Sequence, residues 1–267
     1  MKAIFILFSA LSLAYGFDLE EHGTIRQTNV AATHLDIDNV NGTVHVTGYN
    51  GTEMQMVIEK TIKAKSQERM EAAKREVKLD VSSDADTLRA EVSGPNHHHG
   101  DGRSGYQVRY DFEVRVPVAA ILKLSNVNGS IRVENTSGNF DLSGVNGKIE
   151  LNDTAGSGTA HTVNGKIEAS FARNPSSDCS FKTVNGNIEV SFLASLSANV
   201  RVKTFNGGAY TDFEAAALPM SNASAQRRNG MFVYRAERST SMRIGTGGPE
   251  LRFETLNGSI KLLKRGQ

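Results

Sequence analysis

Residues 145–170 read VNGKIELNDTAGSGTAHTVNGKIEAS, and the string VNGKIE occurs in them twice, 18 residues apart. Aligned on the apolar residue before each Asn-Gly pair, which we call the anchor, the chain contains seven copies of this motif. The anchors are Val40, Val127, Val145, Val163, Val184, Phe205 and Leu256. The middle five follow one another at steps of 18 to 21 residues. Self-similarity at a short, nearly fixed period is typical of a repeat architecture.

Each copy predicts a strand, a corner and a second strand. Apolar residues recur three and five positions before the anchor and four and six positions after it, with mostly polar residues between them. This alternation predicts strands with one buried face. Separate hairpins do not require the whole unit to recur in phase, whereas stacked coils do, because equivalent residues then lie about 4.8 Å apart. The pattern therefore predicts a mainly β fold, a parallel β-solenoid (β-helix) with coils of 18–21 residues.

The Asn-Gly pair is predicted to form the corner of each coil. Glycine adopts positive φ freely, and asparagine adopts it more readily than most other residues. Stacked asparagine side chains can also donate hydrogen bonds from coil to coil as a ladder. The predicted corner residues are Asn41, Gly42, Asn128, Gly129, Asn146, Gly147, Asn164, Gly165, Asn185, Gly186, Asn206, Gly207, Asn257 and Gly258.

The repeat divides the chain into regions. Residues 17–120 are predicted to be a β-rich N-terminal cap that holds the first repeat unit and a short amphipathic helix at 66–77. Residues 121–212 contain the regular coils, residues 213–238 interrupt them as an excursion, and residues 239–267 carry the final unit. The Val40 and Leu256 copies lie outside the regular array, so we expect strands from both termini to join it.

The first 16 residues, MKAIFILFSALSLAYG, predict a cleaved secretory signal peptide. A basic residue precedes an apolar run that ends in a small-x-small site. The run is shorter than the roughly 20 residues of a membrane-spanning helix. We therefore expect an exported protein, periplasmic or at the cell surface, without a transmembrane segment after cleavage.

The charge balance and the cysteine content restrict the possible binding partners and the possible disulfides. Removing Lys2 with the signal leaves 29 of the 30 basic residues, equal to the 29 acidic ones. This balance argues against nucleic acid or an anionic membrane surface as the partner. The one cysteine, Cys179, allows no internal disulfide and falls in an inward slot, so we interpret it as a small buried hydrophobe.

Several stretches together resemble one protein family. They are GYNGTEM, EKTIKA, VPVAAILKLSNVNGSIRVENTSGNFDLSGVNGKIEL and LRFETLNGSIKLL. In this order, behind a signal sequence, they resemble the bacterial putative-adhesin family, an envelope-associated domain of unknown function, over most of residues 30–265. The resemblance implies a β-solenoid, bacterial export and an adhesive or scaffolding role. It implies no catalytic residues, and we predict no cofactor.

Two groups of residues are candidate sites. The loop at 94–103 contains His97, His98, His99 and Asp101, which are ligand types for zinc, copper or nickel, although a solvated loop is the simpler interpretation. Stacking would also align three carboxylates that could bind calcium or act as an acid/base pair: Glu150, Glu168 and Glu189. The interleaved Lys148 and Lys166 favour a mixed-charge surface instead.

The sequence thus predicts a non-enzymatic envelope protein, an adhesin or structural scaffold. A rigid repetitive face would contact an unidentified macromolecule or a second copy of the chain. The outward residues expected to carry contacts are Lys123, Arg132, Lys148, Glu150, Lys166, Glu168, Lys182, Glu189, Arg201 and Lys203. The alternatives are a β-helix enzyme acting on polysaccharide and an envelope protein that binds metal through the His97–His99 loop.

Overall fold

A computed structural model of the chain describes residues 5–9, 19–29, 32–84, 86–94, 105–218, 224–228, 231–235 and 239–266. Within these ranges the protein is mainly β, with one helix. Most of the predicted signal peptide lies outside the described residues; its residues 5–9 form a strand.

The elements follow one another in chain order. The N-terminal region contains β1 (Phe5–Ser9), β2 (Leu19–Asn29), β3 (His34–Asn41), β4 (Val44–Tyr49), β5 (Met54–Ala64), α1 (Gln67–Glu76), β6 (Lys78–Ser83), β7 (Thr87–Ser93) and β8 (Tyr106–Pro117). The regular repeats contain β9 (Ile121–Asn128), β10 (Ile131–Glu134), β11 (Phe140–Asn146), β12 (Ile149–Thr154), β13 (Gly158–Asn164), β14 (Ile167–Phe171), β15 (Cys179–Asn185), β16 (Ile188–Phe192), β17 (Ala198–Asn206) and β18 (Ala209–Thr211). The remainder contains β19 (Ala215–Ala217), β20 (Ser224–Arg228), β21 (Met231–Arg235), β22 (Thr240–Ile244), β23 (Glu250–Asn257) and β24 (Ile260–Lys264).

Two 11-stranded sheets contain almost all of these strands. The first sheet has the order β1-β2-β5-β8-β4-β10-β12-β14-β16-β24-β18. The second has the order β19-β22-β17-β23-β15-β13-β11-β9-β3-β7-β6, and β20 pairs only with β21. Each repeat unit contributes the strand before its Asn-Gly pair to the second sheet and the strand after it to the first. The corner therefore carries the chain from one sheet to the other.

Equivalent residues of adjacent units pair in register. In the first sheet, Ile149 is the partner of Ile131 and Ile167, and the same register continues through Ile188 to Ile260. All five isoleucines are at most 1% exposed. Burying a side chain of this size contributes about 1.5–3 kcal/mol relative to leaving it exposed. Equivalent residues of the repeated sequence thus lie side by side in the structure and form a row that faces the core.

The C-terminal unit is inserted into the array instead of extending it. Strand β23 pairs in parallel with β15 on one side and β17 on the other. In the first sheet, β24 likewise lies between β16 and β18. Strands from both termini do join the array, but the order of units in space differs from their order along the chain.

Antiparallel strands make both sheets mixed. Beyond β4 in the first sheet, β8 pairs antiparallel with β5, and β5 with β2. In the second sheet β6 pairs antiparallel with β7, and β17 with β22. Parallel pairing is therefore confined to the repeat strands and to β7 and β8 beside them.

Helix α1 lies within the range for which the sequence predicts one. Ser66 caps its N-terminus by accepting a hydrogen bond from the Arg69 N–H at 3.3 Å. Met70 and Ala73 are buried on its inner face, and the helix contacts β5 and β8. Its apolar side therefore covers part of the antiparallel region at the Val40 end of the array.

A cluster of four phenylalanines fills the core where the C-terminal unit is inserted. The Phe181 and Phe253 rings stack with centroids 5.4 Å apart, and those of Phe171 and Phe192 stack at 5.0 Å. Edge-to-face contacts of 6.3 and 6.5 Å join the two stacks. Aromatic pairs in such geometries add about 0.5–1.5 kcal/mol beyond burial, so this cluster ties the two sheets together.

Candidate functional site: the corner edge and the outer faces

The corner glycines are required by close approach between units. A Cβ on Gly147 would lie 2.0 Å from the carbonyl oxygen of Gly129, and all seven corner glycines have such a contact at 1.8–2.0 Å. Positive φ, the reason expected from the sequence, holds for only four of them: Gly42, Gly129, Gly207 and Gly258. None of the corner asparagines has positive φ. Asparagine is therefore not needed at this position for its backbone conformation.

The corner asparagines are linked by their side chains. Except in Asn41, which only accepts, each Nδ2 donates to the Oδ1 of the asparagine in the adjacent unit, so that one continuous asparagine row runs along the molecule. In order along the row, the distances are 2.7 Å (Asn206 to Asn257), 2.7 Å (Asn257 to Asn185), 2.8 Å (Asn185 to Asn164), 2.9 Å (Asn164 to Asn146), 2.9 Å (Asn146 to Asn128) and 2.9 Å (Asn128 to Asn41). Each unit is thereby held to the next at its corner.

A second row of polar side chains lies inside the corner, one residue before every anchor except Val145, which follows Gly144. These groups donate to a backbone carbonyl of the adjacent unit or, for Asn39, of β8; an example is Thr183 Oγ1 to the Gly165 oxygen at 3.0 Å. The other bonds are Thr162 to Gly147, Thr255 to Gly186, Thr204 to Gly258, Asn126 to Gly42 and Asn39 to Tyr110, at 2.8–3.2 Å. Buried carbonyls of the corner are thereby hydrogen-bonded from within.

Apart from Val40, which packs against the core, the anchors face outward, unlike the other apolar slots of the motif. Val145, Leu256 and Phe205 are 39%, 46% and 63% exposed, and the remaining four anchors are half-buried. We call the anchors and the asparagine row together the corner edge. Three positions separate the anchor from the preceding apolar slot, and residues an odd number apart point to opposite faces of a strand. We did not predict this exposed row from the sequence, although the odd spacing indicates it.

The two ends of the asparagine row differ. At the Asn41 end, β8 covers the corner, and Asp111 Oδ1 accepts from the Thr43 N–H and hydroxyl at 2.8 and 2.7 Å. At the Asn206 end, β18 is the edge strand of the first sheet, and all three of its residues are exposed. Tyr210 on this strand is 60% exposed. Among the described strands, β8 therefore covers one end of the array, and none covers the β18 edge.

The carboxylates that align on the outer face of the first sheet are all ion-paired with basic groups. Glu150 contacts Arg132 at 3.0 Å and Lys148 at 3.1 Å. Glu168 is bound by Lys148 and Lys166, and Glu189 lies 3.4 Å from Lys166 and 4.0 Å from Lys261. The structure thus brings the predicted charged residues together as an alternating column with little net charge.

The contacts of Glu150 and Glu168 favour the ionised form of these two carboxyl groups. Partial burial works to raise the pKa of Glu150, but hydrogen bonds from Asn152 and Lys148 and the charge of Arg132 outweigh it and hold the pKa below its ordinary value. The pKa of Glu168 is lowered in the same way by Lys148 and Lys166. A carboxyl group held ionised cannot serve as the general acid of a glycosidase at neutral pH.

Ion pairs also join strands on the outer face of the second sheet. Asp36 contacts Arg89 at 3.0 Å and Lys123 at 3.3 Å. Glu254 lies 3.8 Å from Lys182 and 3.6 Å from Lys203. Beside them is a cavity of about 120 Å³, lined by Arg201, Lys203, Ser239, Arg252, Phe253 and Glu254. Among the described residues, the lining of this cavity holds one carboxylate, that of Glu254, whereas glycoside hydrolysis requires a pair of acids.

The remaining candidates are placed as follows. His97, His98, His99 and Asp101 lie outside the described residues. Within the described ranges, no three His, Cys, Asp or Glu residues are grouped so as to hold a metal ion. Cys179 is 3% exposed, and burial raises the pKa of its thiol. Its position is that of a core residue.

Solved structures that are similar to the chain include two bacterial proteins. No family model and no curated protein matches the chain. A putative cell adhesion protein from Clostridium sporogenes is similar over 90% of this chain and 99% of its own, at 8% identity and a TM-score of 0.43. A putative adhesin from Parabacteroides merdae is similar over 90% of this chain and 95% of its own, at 11% identity and a TM-score of 0.28. Membership of the putative-adhesin family remains a prediction.

No helix within the described ranges has both the length and the apolar character needed to cross a membrane.

Proposed function

We propose that the protein is an exported, non-enzymatic adhesin or structural scaffold of the cell envelope, and that its seven units are the coils of a parallel β-solenoid. One observation carries this proposal: exposed apolar anchors lie in a row beside seven hydrogen-bonded asparagines. Such an edge presents the same chemistry at every unit. It suits repeated contacts with a macromolecule better than the conversion of a small substrate.

The rigidity of the corner edge favours binding. Each asparagine side chain from Asn128 onward donates to its neighbour, and the backbone beneath it is braced by the inner polar row. A surface whose side chains are already ordered loses little conformational entropy when a partner binds. The apolar anchors then supply contact area that water covers in the free protein.

The outer charged columns are a weaker basis for binding. Lys148 and Lys166 each contact two glutamates, and Glu254 lies within reach of two lysines. Exposed ion pairs that already satisfy one another contribute about 0–1 kcal/mol each. We therefore place the principal contacts at the corner edge and not in the charged columns that the sequence suggested.

Replacing the three most exposed anchors tests this proposal. The triple variant Val145→Ser, Leu256→Ser, Phe205→Ser removes apolar surface without touching the core. Binding of the labelled protein to isolated bacterial envelopes, and to a second copy by sedimentation, is then measured. We expect affinity to fall by about tenfold or more, because apolar contacts buried in an interface contribute on the order of 1 kcal/mol each.

A matched control is the triple variant Lys123→Ser, Lys182→Ser, Lys203→Ser on the outer face of the second sheet. It makes the same number of surface changes and should bind almost as the unmodified protein does. Equal losses of binding affinity in the two triple variants would contradict binding through the corner edge. Catalytic turnover of an envelope polysaccharide by the purified protein would instead favour the enzyme alternative.

The metal-binding alternative is tested separately. Isothermal titration with zinc compares the protein with a variant in which His97, His98 and His99 are alanine. Heat that disappears in the variant would support metal binding by the loop. Identical heats would exclude these histidines as ligands and leave the scaffold proposal unaffected.

A further inference from the structure

Every corner of the repeat is an Asn-Gly pair, and this dipeptide can modify itself. The glycine nitrogen loses its proton and forms a bond to the asparagine Cγ, the Cγ–Nδ2 bond breaks, and ammonia leaves with that proton to give a cyclic imide. Water then opens the imide at either carbonyl and leaves aspartate or isoaspartate. Glycine permits this attack because it has no Cβ to obstruct ring closure. Asparagine is accordingly among the thermally labile residues of proteins.

Six of the seven corners hold the attacking nitrogen in a hydrogen bond. The glycine N–H donates to the carbonyl oxygen of the corner asparagine in the adjacent unit. The distances are 3.0 Å (Gly42 to Asn128), 2.9 Å (Gly129 to Asn146), 3.0 Å (Gly147 to Asn164), 3.0 Å (Gly165 to Asn185), 2.9 Å (Gly186 to Asn257) and 2.9 Å (Gly258 to Asn206). This bond must break before the nitrogen can turn toward its own side chain, so reaction requires local opening of the stack.

The seventh corner, Asn206–Gly207, lacks this protection. It belongs to the last unit of the row, and no described residue accepts a hydrogen bond from the Gly207 N–H. Asn206 and Gly207 are both exposed, as is the neighbouring Phe205. The Asn206 carboxamide is held only by its bond to Asn257, because the row runs in one direction and no described donor reaches the Asn206 Oδ1.

We propose that Asn206 is the deamidation site of the folded repeat and that the other six corner asparagines are protected by the stack. The reaction also acts on the structure. The Asn206 Nδ2 donates to the Asn257 Oδ1 at 2.7 Å, and a carboxylate in its place faces that oxygen with an acceptor instead of a donor. Deamidation therefore breaks the terminal bond of the asparagine row and loosens the β18 edge.

Peptide mapping of the aged protein tests the proposal. The purified protein is incubated folded at mildly alkaline pH, digested and analysed by mass spectrometry, with isoaspartate detected separately. Deamidation at Asn206 should exceed that at Asn146 and Asn164 by about tenfold or more, because protected amides react only through local opening that breaks at least one hydrogen bond. Equal rates at the three sites in the folded protein would overturn the proposal.

The same chain unfolded in urea is the matched control. Without the stack, the rates at Asn206, Asn146 and Asn164 should converge. A preference for Asn206 that persists in urea would assign the effect to the local sequence, in which Gly208 follows Gly207, and would also overturn the proposal. Asn50–Gly51 and Asn229–Gly230 are outside the corner row, and their peptides are quantified separately.

The structural consequence is tested with Asn206→Asp. Backbone hydrogen exchange should increase in β18 and at Ile260, whose N–H donates to the Gly208 oxygen across this edge at 2.9 Å. Asn206→Gln, which keeps an amide and deamidates slowly, is the control. Unchanged exchange in the aspartate variant would show that the terminal bond does not hold β18 in place.

Discussion

Single residues at the corner are selected by their neighbours in adjacent units. Gly147 must lack a Cβ because the Gly129 carbonyl oxygen would lie 2.0 Å from it. Asn164 both donates to Asn146 and accepts from Asn185. A residue at this position must therefore supply a donor and an acceptor on one short side chain, and asparagine meets both needs.

Asn164→Asp should destabilise the protein by about 1–3 kcal/mol, because it replaces a donor with a charged acceptor opposite the Asn146 oxygen. Asn187→Asp is the matched control. The Asn187 Oδ1 accepts from the Ser259 N–H at 2.8 Å, and aspartate keeps that acceptor. Urea unfolding followed by circular dichroism gives both free energies of unfolding. Equal losses in the two variants would argue that the asparagine row does not stabilise the fold.

Thr183→Val should also destabilise, by about 1–2 kcal/mol, since the buried hydroxyl that donates to the Gly165 oxygen is lost from a site of nearly the same shape. Thr240→Val changes an exposed strand residue whose hydroxyl makes no described hydrogen bond, and it should alter stability by no more than about 0.5 kcal/mol. Thermal unfolding compares the two. A stable Thr183→Val variant would mean that the inner polar row is dispensable.

At the scale of elements, the alternation of apolar residues predicted the buried slots well. All the residues three and five positions before the anchor are buried except Gly158, and those after it are buried except Ala209 and Thr211 of the β18 edge. The position of the C-terminal unit was not predictable in this way. Its two strands carry the same pattern as every other unit, so alternation does not determine which neighbours they join.

Phe253→Ala should destabilise the protein by about 3–5 kcal/mol, because Phe253 belongs to the inserted strand β23 and stacks on Phe181 in the core. Phe205→Ala makes the same change on a side chain that is 63% exposed, and it should lower the free energy of unfolding much less. Chemical unfolding monitored by tyrosine fluorescence measures both. Similar free energies of unfolding would contradict insertion of the C-terminal unit between β15 and β17.

At the scale of the whole molecule, the free energy of unfolding should decrease at acidic pH. The folded pKa values of Glu150 and Glu168 lie below their ordinary values because of the ion-paired column. Their contribution to folding is therefore present above the unfolded pKa, about 4.3 for glutamate, and is lost as pH falls from there toward the folded pKa. The same column should contribute less to stability at high salt concentration, because exposed ion pairs are screened.

When the pH falls below about 4.5, the melting temperature of the double variant Glu150→Gln, Glu168→Gln should consequently decrease less than that of the unmodified protein. Glu91→Gln with Glu214→Gln is the control, because both residues are exposed and no described basic group pairs with either. Melting temperatures measured between neutral and acidic pH give the comparison. Parallel curves for all three proteins would exclude the glutamate column as a source of acid sensitivity.

The sequence by itself determined the local features of this protein: the period of the repeat, the strand–corner–strand unit and the buried slots. These follow from alternation and from the Asn-Gly pair, which act over a few residues. Only the tertiary structure decided where the C-terminal unit lies, that no described group accepts the Gly207 N–H, and which lysine pairs with which glutamate. The physical reason is that the units are nearly equivalent in local energy, so their order depends on long-range packing, such as that of Phe253 on Phe181.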